Sequence, residues 1–546
     1  MAHFDKDSRD YYERKKQAAK NEISSFIPHY RDVAEYIQPR RGRFLVTDVN
    51  KGGSRYGKII NSRATWAHRV CRSGLLNGTM SPARPWFSLE TADPDMMEFA
   101  PAKLWLYTVE GIFRDILNAS NFYNMAQVLL SELVLFGTGN MAHLKNFETV
   151  ARFQTHTVGS YMIQQDYLGR VNGMIREYRM TTEQLIEEFG LENISLSAKN
   201  AYDRGDYCVW FDVTEVIEPN PNYDENKKLS KYKKFRSVKY EPGNERKAFL
   251  SEAGYDRFPN YCPRWDVTGE DTYGTDCPGM TALGDVTGLQ LEERRKAQAI
   301  DKMVNPPLRG PASLRNVPIS SLPGGATLYD SFSGGGALEP IYRVEPRVNE
   351  LMLDIQAVER RIDNAFYVDV FQAFASMEGI QPRNQFALVR RDGERMVQLG
   401  PVLERLHGEF LSQVIENLFS DVMEAGIAPP PPPEMEGQPL KIKFISSLAM
   451  AQREMATGGI DRMAAFVGGL MQAGLSDGKK FDGDQAIDEY ATAVGAPPRV
   501  IVPDDVVMQK REQEAKLAQM AQAAQMAQTT ADTGSKIAQA SAAEAQ

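Results

Sequence analysis

The chain has 546 residues, 42% hydrophobic and 25% charged, with 63 Lys plus Arg against 72 Asp plus Glu and a formal charge of −9. That length exceeds a single core and predicts roughly three or four domains, while the apolar and charged fractions exclude wholesale disorder. A net negative chain also argues against a free-standing protein that wraps nucleic-acid phosphates. Four cysteines, Cys71, Cys208, Cys262 and Cys277, show neither close pairing nor metal-ligand spacing, which fits a reducing compartment. The opening MAHFDKDSRDYYERKK is charged where a signal peptide needs an apolar core. The most apolar stretch, Met125 to Phe136, contains Ser131 and Glu132 and is too short to cross a bilayer. The expectation is a soluble, intracellularly assembled protein with no membrane partner.

In chain order, residues 1–40 are predicted helical, with Ile23, Phe26, Ile27, Tyr30, Val33, Ala34 and Ile37 at three- and four-residue steps. After a loop containing Gly52, Gly53 and Gly57, a helix is expected from about Ser62 to Leu76, with Trp66, Val70, Cys71 and Gly74 near one face. The turn Ser81-Pro82-Ala83-Arg84-Pro85 ends it, and a helical block covers Pro101 to Leu135 up to the break Gly137-Thr138-Gly139. From Ala142 to Tyr273 alternating segments rich in Val, Tyr, Phe and Thr predict a largely antiparallel sheet. One helix interrupts them, opened by a capping box at Thr181-Thr182-Glu183-Gln184 and closed by Gly190. The fold class is therefore α+β.

A helix of roughly 30 Å is predicted for Asp285 to Val304, stopped by Asn305-Pro306-Pro307. The insert 305–344 is rich in Pro and Gly and too poor in apolar residues for a core, so its strands are expected to pair with another chain. The next helix places Val348, Leu351, Ile355, Val358, Ile362 and Phe366 on one stripe, a helix packed on one side only. A loop at Ala375–Asn384 follows, then a helical block to Glu424 that buries Leu403, Leu406, Phe410, Val414, Leu418 and Val422. Gly426 is the expected C-cap, Pro429–Pro433 a stiff spacer, and 445–497 a small helical unit. The Ala/Gln/Met-rich tail from Pro503 has high helix propensity but cannot bury itself alone, which suits packing beside identical helices; after Thr529 a frayed end explains the composition equally well.

Chemical motifs are weak. Gly52-Gly53-Ser54-Arg55-Tyr56-Gly57-Lys58 fits G-x-x-x-x-G-K, yet Ile59 stands where a phosphate loop needs the magnesium-binding Ser or Thr. The six histidines are scattered without ligand spacing, and Gly137-Thr138-Gly139 lacks the last glycine of a dinucleotide loop. A basic cluster, Lys227, Lys228, Lys231, Lys233, Lys234, Arg236 and Lys239, is interleaved with Tyr232, Phe235 and Tyr240. It reads as a solvated hairpin with its aromatics on the sheet, in preference to a single-strand nucleic-acid site.

Several stretches in series carry a resemblance: Ala64 to Leu89, Leu135-Phe136-Gly137-Thr138-Gly139, WDVTGEDTYGTDCPGMTALGDVTGLQ from Trp265, Asn305-Pro306-Pro307, QLGPVLERLHGEFL from Gln398 and FISSLAMAQR from Phe444. In this order, from about residue 5 to 455, the chain resembles the portal, or head–tail connector, proteins of short-tailed (podovirus-type) tailed bacteriophages. The resemblance implies a structural protein, not an enzyme and without cofactor or metal. It implies a homo-oligomeric ring of about twelve subunits at one capsid vertex of the virion, assembled in the host cytoplasm. The ring would pass double-stranded DNA during packaging and ejection, and would meet the major capsid protein, the terminase motor, a tail adaptor or nozzle, and internal core or scaffolding proteins.

By the same resemblance, 1–284 with 386–439 form a wing (β-rich at 142–273), 285–304 and 346–370 the stem, 305–344 a small α/β clip, 440–502 the crown, and 503–546 a helical barrel. The channel loop, 375–385, would offer Glu378, Gly379, Gln381, Pro382, Arg383 and Asn384; the clip's docking surface would offer Arg309, Arg315, Tyr329 and Asp330. Relatives carry a Thr-Ala-Thr-Glu-Val-like stretch after the channel loop, where this chain has Gln381-Pro382-Arg383-Asn384-Gln385-Phe386. A ring of twelve would carry a charge of roughly −108, which repels DNA from broad surfaces and leaves guidance to loop cations such as Arg383. A DNA-translocating ATPase or nuclease, or a ring-shaped tail adaptor without a DNA-gating role, is the alternative.

Overall fold

The computed structural model of the chain describes residues 8–44, 53, 55–93, 96, 99–227, 229–246, 248–304, 308–309, 339–340, 348–377, 399–435, 437, 439–445, 463–472, 483–487, 507–508, 510–517 and 519–520. The N-terminal helical stretch is two helices, α1 (Arg9–Ser24) and α2 (Ile27–Ile37), with Pro28 in the first turn of α2, where its missing N–H costs nothing. After α3 (Arg63–Met80) come strand β1 (Phe87–Thr91), α4 (Ala100–Ala119) and α5 (Phe122–Phe136). The expected single block at 101–135 is thus broken at Ser120-Asn121. There the Asn121 side chain turns to the backbone of Phe153, donating to its carbonyl at 2.8 Å and accepting from its N–H at 2.9 Å.

The strands and helices that follow are β2 (Asn140–Asn146), β3 (Val150–His156), β4 (Tyr161–Gln165), β5 (Val171–Thr181), α6 (Thr182–Phe189), α7 (Leu196–Asp203), β6 (Trp210–Pro219), β7 (Phe235–Tyr240), β8 (Ser251–Tyr255) and β9 (Asn260–Tyr261). The chain continues through α8 (Pro278–Thr281), α9 (Leu283–Val304), β10 (Leu308–Arg309), β11 (Glu339–Pro340), α10 (Val348–Ala365) and α11 (Val368–Met377). A helical run from 399 contains a π-helical turn, His407–Leu411, and continues as α12 (Ser412–Glu424), which Gly426 follows in the left-handed conformation; β12 (Leu440–Phe444) comes next.

The chain divides into two units, Met1–Ala83 with Ile116–Ala425, and Arg84–Asp115 with Gly426–Gln546. The first unit is organised around α5. Phe122, Ala126, Leu129, Leu130, Leu133, Val134, Leu135 and Phe136 are all buried, so the helix needs cover on every side. Gly137 ends it with φ +71°, a left-handed cap whose N–H reaches the Leu133 carbonyl at 3.0 Å. Helix α3 packs on α5 and buries Ala64, Ala67, His68, Cys71 and Leu75; of the face expected from Trp66, Val70, Cys71 and Gly74, Cys71 is buried as expected while Trp66 is exposed. Small residues let the two backbones approach, and Trp66 stays outside beneath the Arg63 guanidinium, 4.3 Å from its ring centre. A Cβ at Gly74 would lie 2.2 Å from the Phe371 ring, so α11 closes directly on the α3 backbone.

The sheets are antiparallel throughout: a three-stranded one in the order β3-β2-β9 and a five-stranded one in the order β4-β5-β6-β7-β8. The fold is α+β. Thr181 and Gln184 make the expected capping box at α6, but α7, capped by Ser195, is an addition to the one predicted helix. Leu185, Phe189, Ile194, Ala198, Val213 and Leu250 form a small core beneath this pair. The basic hairpin is neutralised locally, by Lys227–Asp224, Lys233–Asp256, Arg236–Glu252 and Lys239–Glu188 pairs, while Tyr240 is buried.

In the second unit β1 and β12 pair in antiparallel register, from Phe87 opposite Phe444 to Thr91 opposite Leu440. Residues 440–444, assigned to the crown from sequence, therefore pair with a strand from the segment assigned to the wing. The Trp86 and Phe444 rings stack at 6.4 Å, and Trp105 Nε1 donates to the Pro429 carbonyl at 2.9 Å, tying down the first residue of the proline run.

Three titratable groups in the core of the first unit set opposing pH limits. Burial pushes His68 and His156 down to about 3, with Arg72 and Arg176 respectively acting in the same direction. Their depressed values favour the fold above the ordinary imidazole value, and that contribution is lost as pH falls below it, about 2 kcal/mol each by pH 5. Glu132 is completely buried; burial raises its carboxyl to about 7 against the Arg41 charge and the Val158 N–H bond. A raised acid favours the fold below its unfolded value, and this contribution is lost as pH rises through 7. Glu132→Gln should therefore raise the melting temperature at pH 8 by several degrees and change it little at pH 5, measured by thermal denaturation across pH. Equal shifts at both pH values would contradict this account.

Candidate assembly site

Helices α9 and α10 pack as a pair, and their burial is confined to one end. In α9 only Val286, Leu289 and Gln290 are buried; Leu291, Ile300, Met303 and Val304 are exposed, Val304 at 70%. In α10 Ile355, Val358 and Ile362 are buried, as the stripe predicts, while Met352 and Leu353 are exposed, Leu353 at 66%. The expected helix over 346–370 ends at Ala365, because Tyr367 takes a left-handed conformation (φ +54°) and α11 restarts at Val368.

The buried end is held by a polar lock that local sequence patterns do not reveal. Gln290 Oε1 accepts the N–H groups of Ile60 and Asn61 at 2.7 and 2.8 Å, and its Nε2 donates to the Asn61 carbonyl at 3.0 Å. Asn61 Nδ2 in turn donates to Glu293 on α9 at 3.1 Å and Glu359 on α10 at 2.9 Å. Arg63, at the start of α3, forks onto Asp363 of α10, its Nε at 2.8 Å. Arg361 of α10 pairs with Asp285 of α9 at 3.0 Å. The Arg63 guanidinium is held above its ordinary value by the hydrogen bond to Asp363. One loop thus fixes both helices at their root while their far ends carry apolar side chains into solvent.

Lys58, the lysine of the sequence's phosphate-loop match, is engaged by Glu35 and lies 5.3 Å from the Tyr36 ring centre, so it serves this loop's anchorage. The insert closes at its base within one chain, Leu308 opposite Pro340 and Arg309 opposite Glu339, where intermolecular pairing was expected. The cause is topological: the paired helices bring the two ends of the insert together. Arg309 thus lies on β10, while Arg315, Tyr329 and Asp330 fall outside the described residues. So do Glu378, Gly379, Gln381, Pro382, Arg383 and Asn384; residues 375–377, assigned to the same loop, are the end of α11. Among the described residues no helix is long and apolar enough to cross a membrane.

Removing Arg63 strands the mostly buried Asp363 carboxylate. Arg63→Ala should destabilise the first unit by about 2 kcal/mol, and a following Asp363→Asn should recover part of that loss. Denaturant titration of the single and double variants checks it; purely additive losses would mean that the two side chains are not coupled.

A family profile described as "Bacteriophage head to tail connecting protein" matches residues 9–502. The portal protein of Salmonella phage epsilon15 is 41% identical over 502 residues, covering 92% of this chain and 90% of that protein. The probable portal protein of Bordetella phage BPP-1 is 38% identical over 519 residues, covering 95% of this chain and 93% of that protein. With matches of this extent, the chain belongs to the bacteriophage head-to-tail connecting protein family.

Proposed function

We propose that the chain is a phage portal subunit: a structural protein that assembles into a ring at one capsid vertex, conducts double-stranded DNA in packaging and ejection, and docks the motor and later the tail. The observation that carries this reading is the match to connector and portal proteins along nearly the full length. The helix pair supports it independently, since two helices rooted in a folded unit with exposed apolar far ends need neighbours. In a cyclic ring each pair packs against the next, as a heterologous interface that closes on itself.

Within this reading α9 and α10 are the stem, 305–344 the clip, 1–284 with 386–439 the wing, 440–502 the crown and 503–546 a helical barrel, with about twelve copies in the ring. The clip, carrying Arg309, Arg315, Tyr329 and Asp330, faces the terminase motor and then the tail adaptor or nozzle, with strands beyond 310 pairing between subunits. The major capsid protein surrounds the wing, and core or scaffolding proteins meet the crown in the virion. Energy for translocation comes from the motor, and the portal acts as conduit and not as enzyme.

Two experiments test the reading. Leu353→Glu with Met303→Glu places carboxylates on the exposed stem faces; native mass spectrometry should show monomers with an intact circular dichroism spectrum, and rings of unchanged size would refute the stem assignment. In the channel loop, Arg383→Glu should leave rings intact while shortening packaged DNA or letting it slip back. Normal DNA length and retention would remove this loop from the DNA path.

A further inference from the structure

Strand β6, the central strand of the five-stranded sheet, carries unlike exposed surfaces at its two ends. At its start the whole run from Tyr202 to Trp210 faces solvent, with Tyr207 48%, Val209 42% and Trp210 51% exposed. Leu191 and Leu196, borne by the helical segment that joins β5 to β6 at this end, are exposed as well. These side chains stand on a fixed frame. The Tyr207 and Val209 carbonyls accept the N–H groups of Glu183 and Thr182 at 3.3 and 2.9 Å, and the Tyr202 and Tyr207 rings meet edge to face at 5.4 Å. Residues 182–210 contain six acids against two bases. Local pairs engage Glu188 with Lys239 and Asp206 with Arg204, but among the described residues no ion pair engages Glu183, Glu187, Glu192 or Asp203.

The other end of β6 is the turn 220–234 that leads into β7. Asn220 organises it: its N–H donates to the Lys234 carbonyl at 2.8 Å, and its Nδ2 donates to the Lys231 and Lys233 carbonyls at 2.8 and 2.7 Å. This turn holds five lysines against two acids. Asp224 and Asp256 take Lys227 and Lys233. Lys231 and Lys234 meet no carboxylate among the described residues and lie over the Tyr232 and Tyr223 rings, 5.1 and 5.9 Å from their centres. Beside them Leu229 is 63% and Tyr223 43% exposed.

Each end thus combines exposed apolar side chains with uncompensated charge, and the two charges are of opposite sign. Ten residues of strand hold the ends about 30 Å apart, so they cannot meet within one chain. Like ends of two copies would set charge against like charge, which disfavours a two-fold pairing. Unlike ends are complementary. Two copies placed in succession along β6 bring Leu229 and Tyr223 onto Tyr207 and Trp210, with Lys231 and Lys234 against Glu187 and Glu192.

We propose that the exposed face formed by 202–210 and the α6–α7 segment is a docking surface for the basic β6–β7 turn of a second copy of this chain. The contact is heterologous, so it propagates from copy to copy until a ring closes. It rests on the ring reading above and adds a subunit contact outside the α9/α10 pair.

The test uses the full-length protein and its own Cys208, which is exposed within the docking face while Cys71, Cys262 and Cys277 are buried. Leu229→Cys adds a thiol at the basic end, too far from Cys208 of the same chain for a short linker to span. Bismaleimidoethane followed by a denaturing gel should give a ladder that rises beyond the dimer and is lost when Cys208→Ser is added. Glu187→Lys with Glu192→Lys should lower the ladder's yield about fivefold, and adding Lys231→Glu with Lys234→Glu should restore it. A ladder that stops at the dimer, or a yield indifferent to these reversals, would overturn the proposal. Rings in native mass spectrometry without any ladder would overturn this contact and leave the ring reading standing; an unaltered protein that forms no oligomer would overturn both.

Discussion

Burial of the second half of α5, Leu129–Phe136, on all sides is the constraint from which the first unit follows. A helix end with leucines and phenylalanines around its whole circumference cannot lie on a surface, so α2 and α3, α8, and strands β2 and β3 pack on the helix. Small residues on α3 permit a close approach there, and the left-handed turn at Gly137 sends the chain directly into β2. The cost is a carboxylate in the interior: Glu132 sits on this helix with one oxygen bonded to the Val158 N–H and Arg41 3.9 Å from the other. Such a group makes the unit sensitive to pH and fixes the β3–β4 connection to the helix.

Against that rigid centre, the α9/α10 pair is built on a different principle. Its root is specified by directional bonds from one loop, Asn61 and Gln290 above all, and its length by helix periodicity. Directional bonds set orientation well but contribute modestly to stability, about 1 kcal/mol each. The arrangement thus aims the helices without covering their far ends. This division between an internally closed unit and an outwardly incomplete helix pair is what an assembling connector subunit requires.

Legibility in the sequence follows the range of the interaction. The capping box at Thr181–Gln184, the Gly426 cap and the buried stripe from Leu403 to Val422 are set by neighbours within a few residues, and all three are as expected. Trp66 misleads because hydrophobicity suggests burial, whereas close helix packing selects Ala64 and Ala67 beside the expected Cys71. The break at Asn121 and the Asn61–Gln290 lock depend on polar side chains meeting backbone far along the chain, for which periodicity carries no signal. The family was legible from the serial order of short motifs, a property of the whole chain that no single motif carries.

The pairing of β1 with β12 imposes a timetable on biosynthesis. Phe87–Thr91 leaves the ribosome about 350 residues before Leu440–Phe444, and translation at 5–20 residues per second puts roughly 20–70 s between them. Through that interval β1 is an unpaired strand that begins with Phe87 and has Trp86 just before it. Among the described residues the partner strand of β1 is β12, so this sheet closes only after translation has passed residue 444. A chain truncated before that point keeps β1 as an open edge, which makes late termination more hazardous to the folded subunit than loss of the tail beyond it.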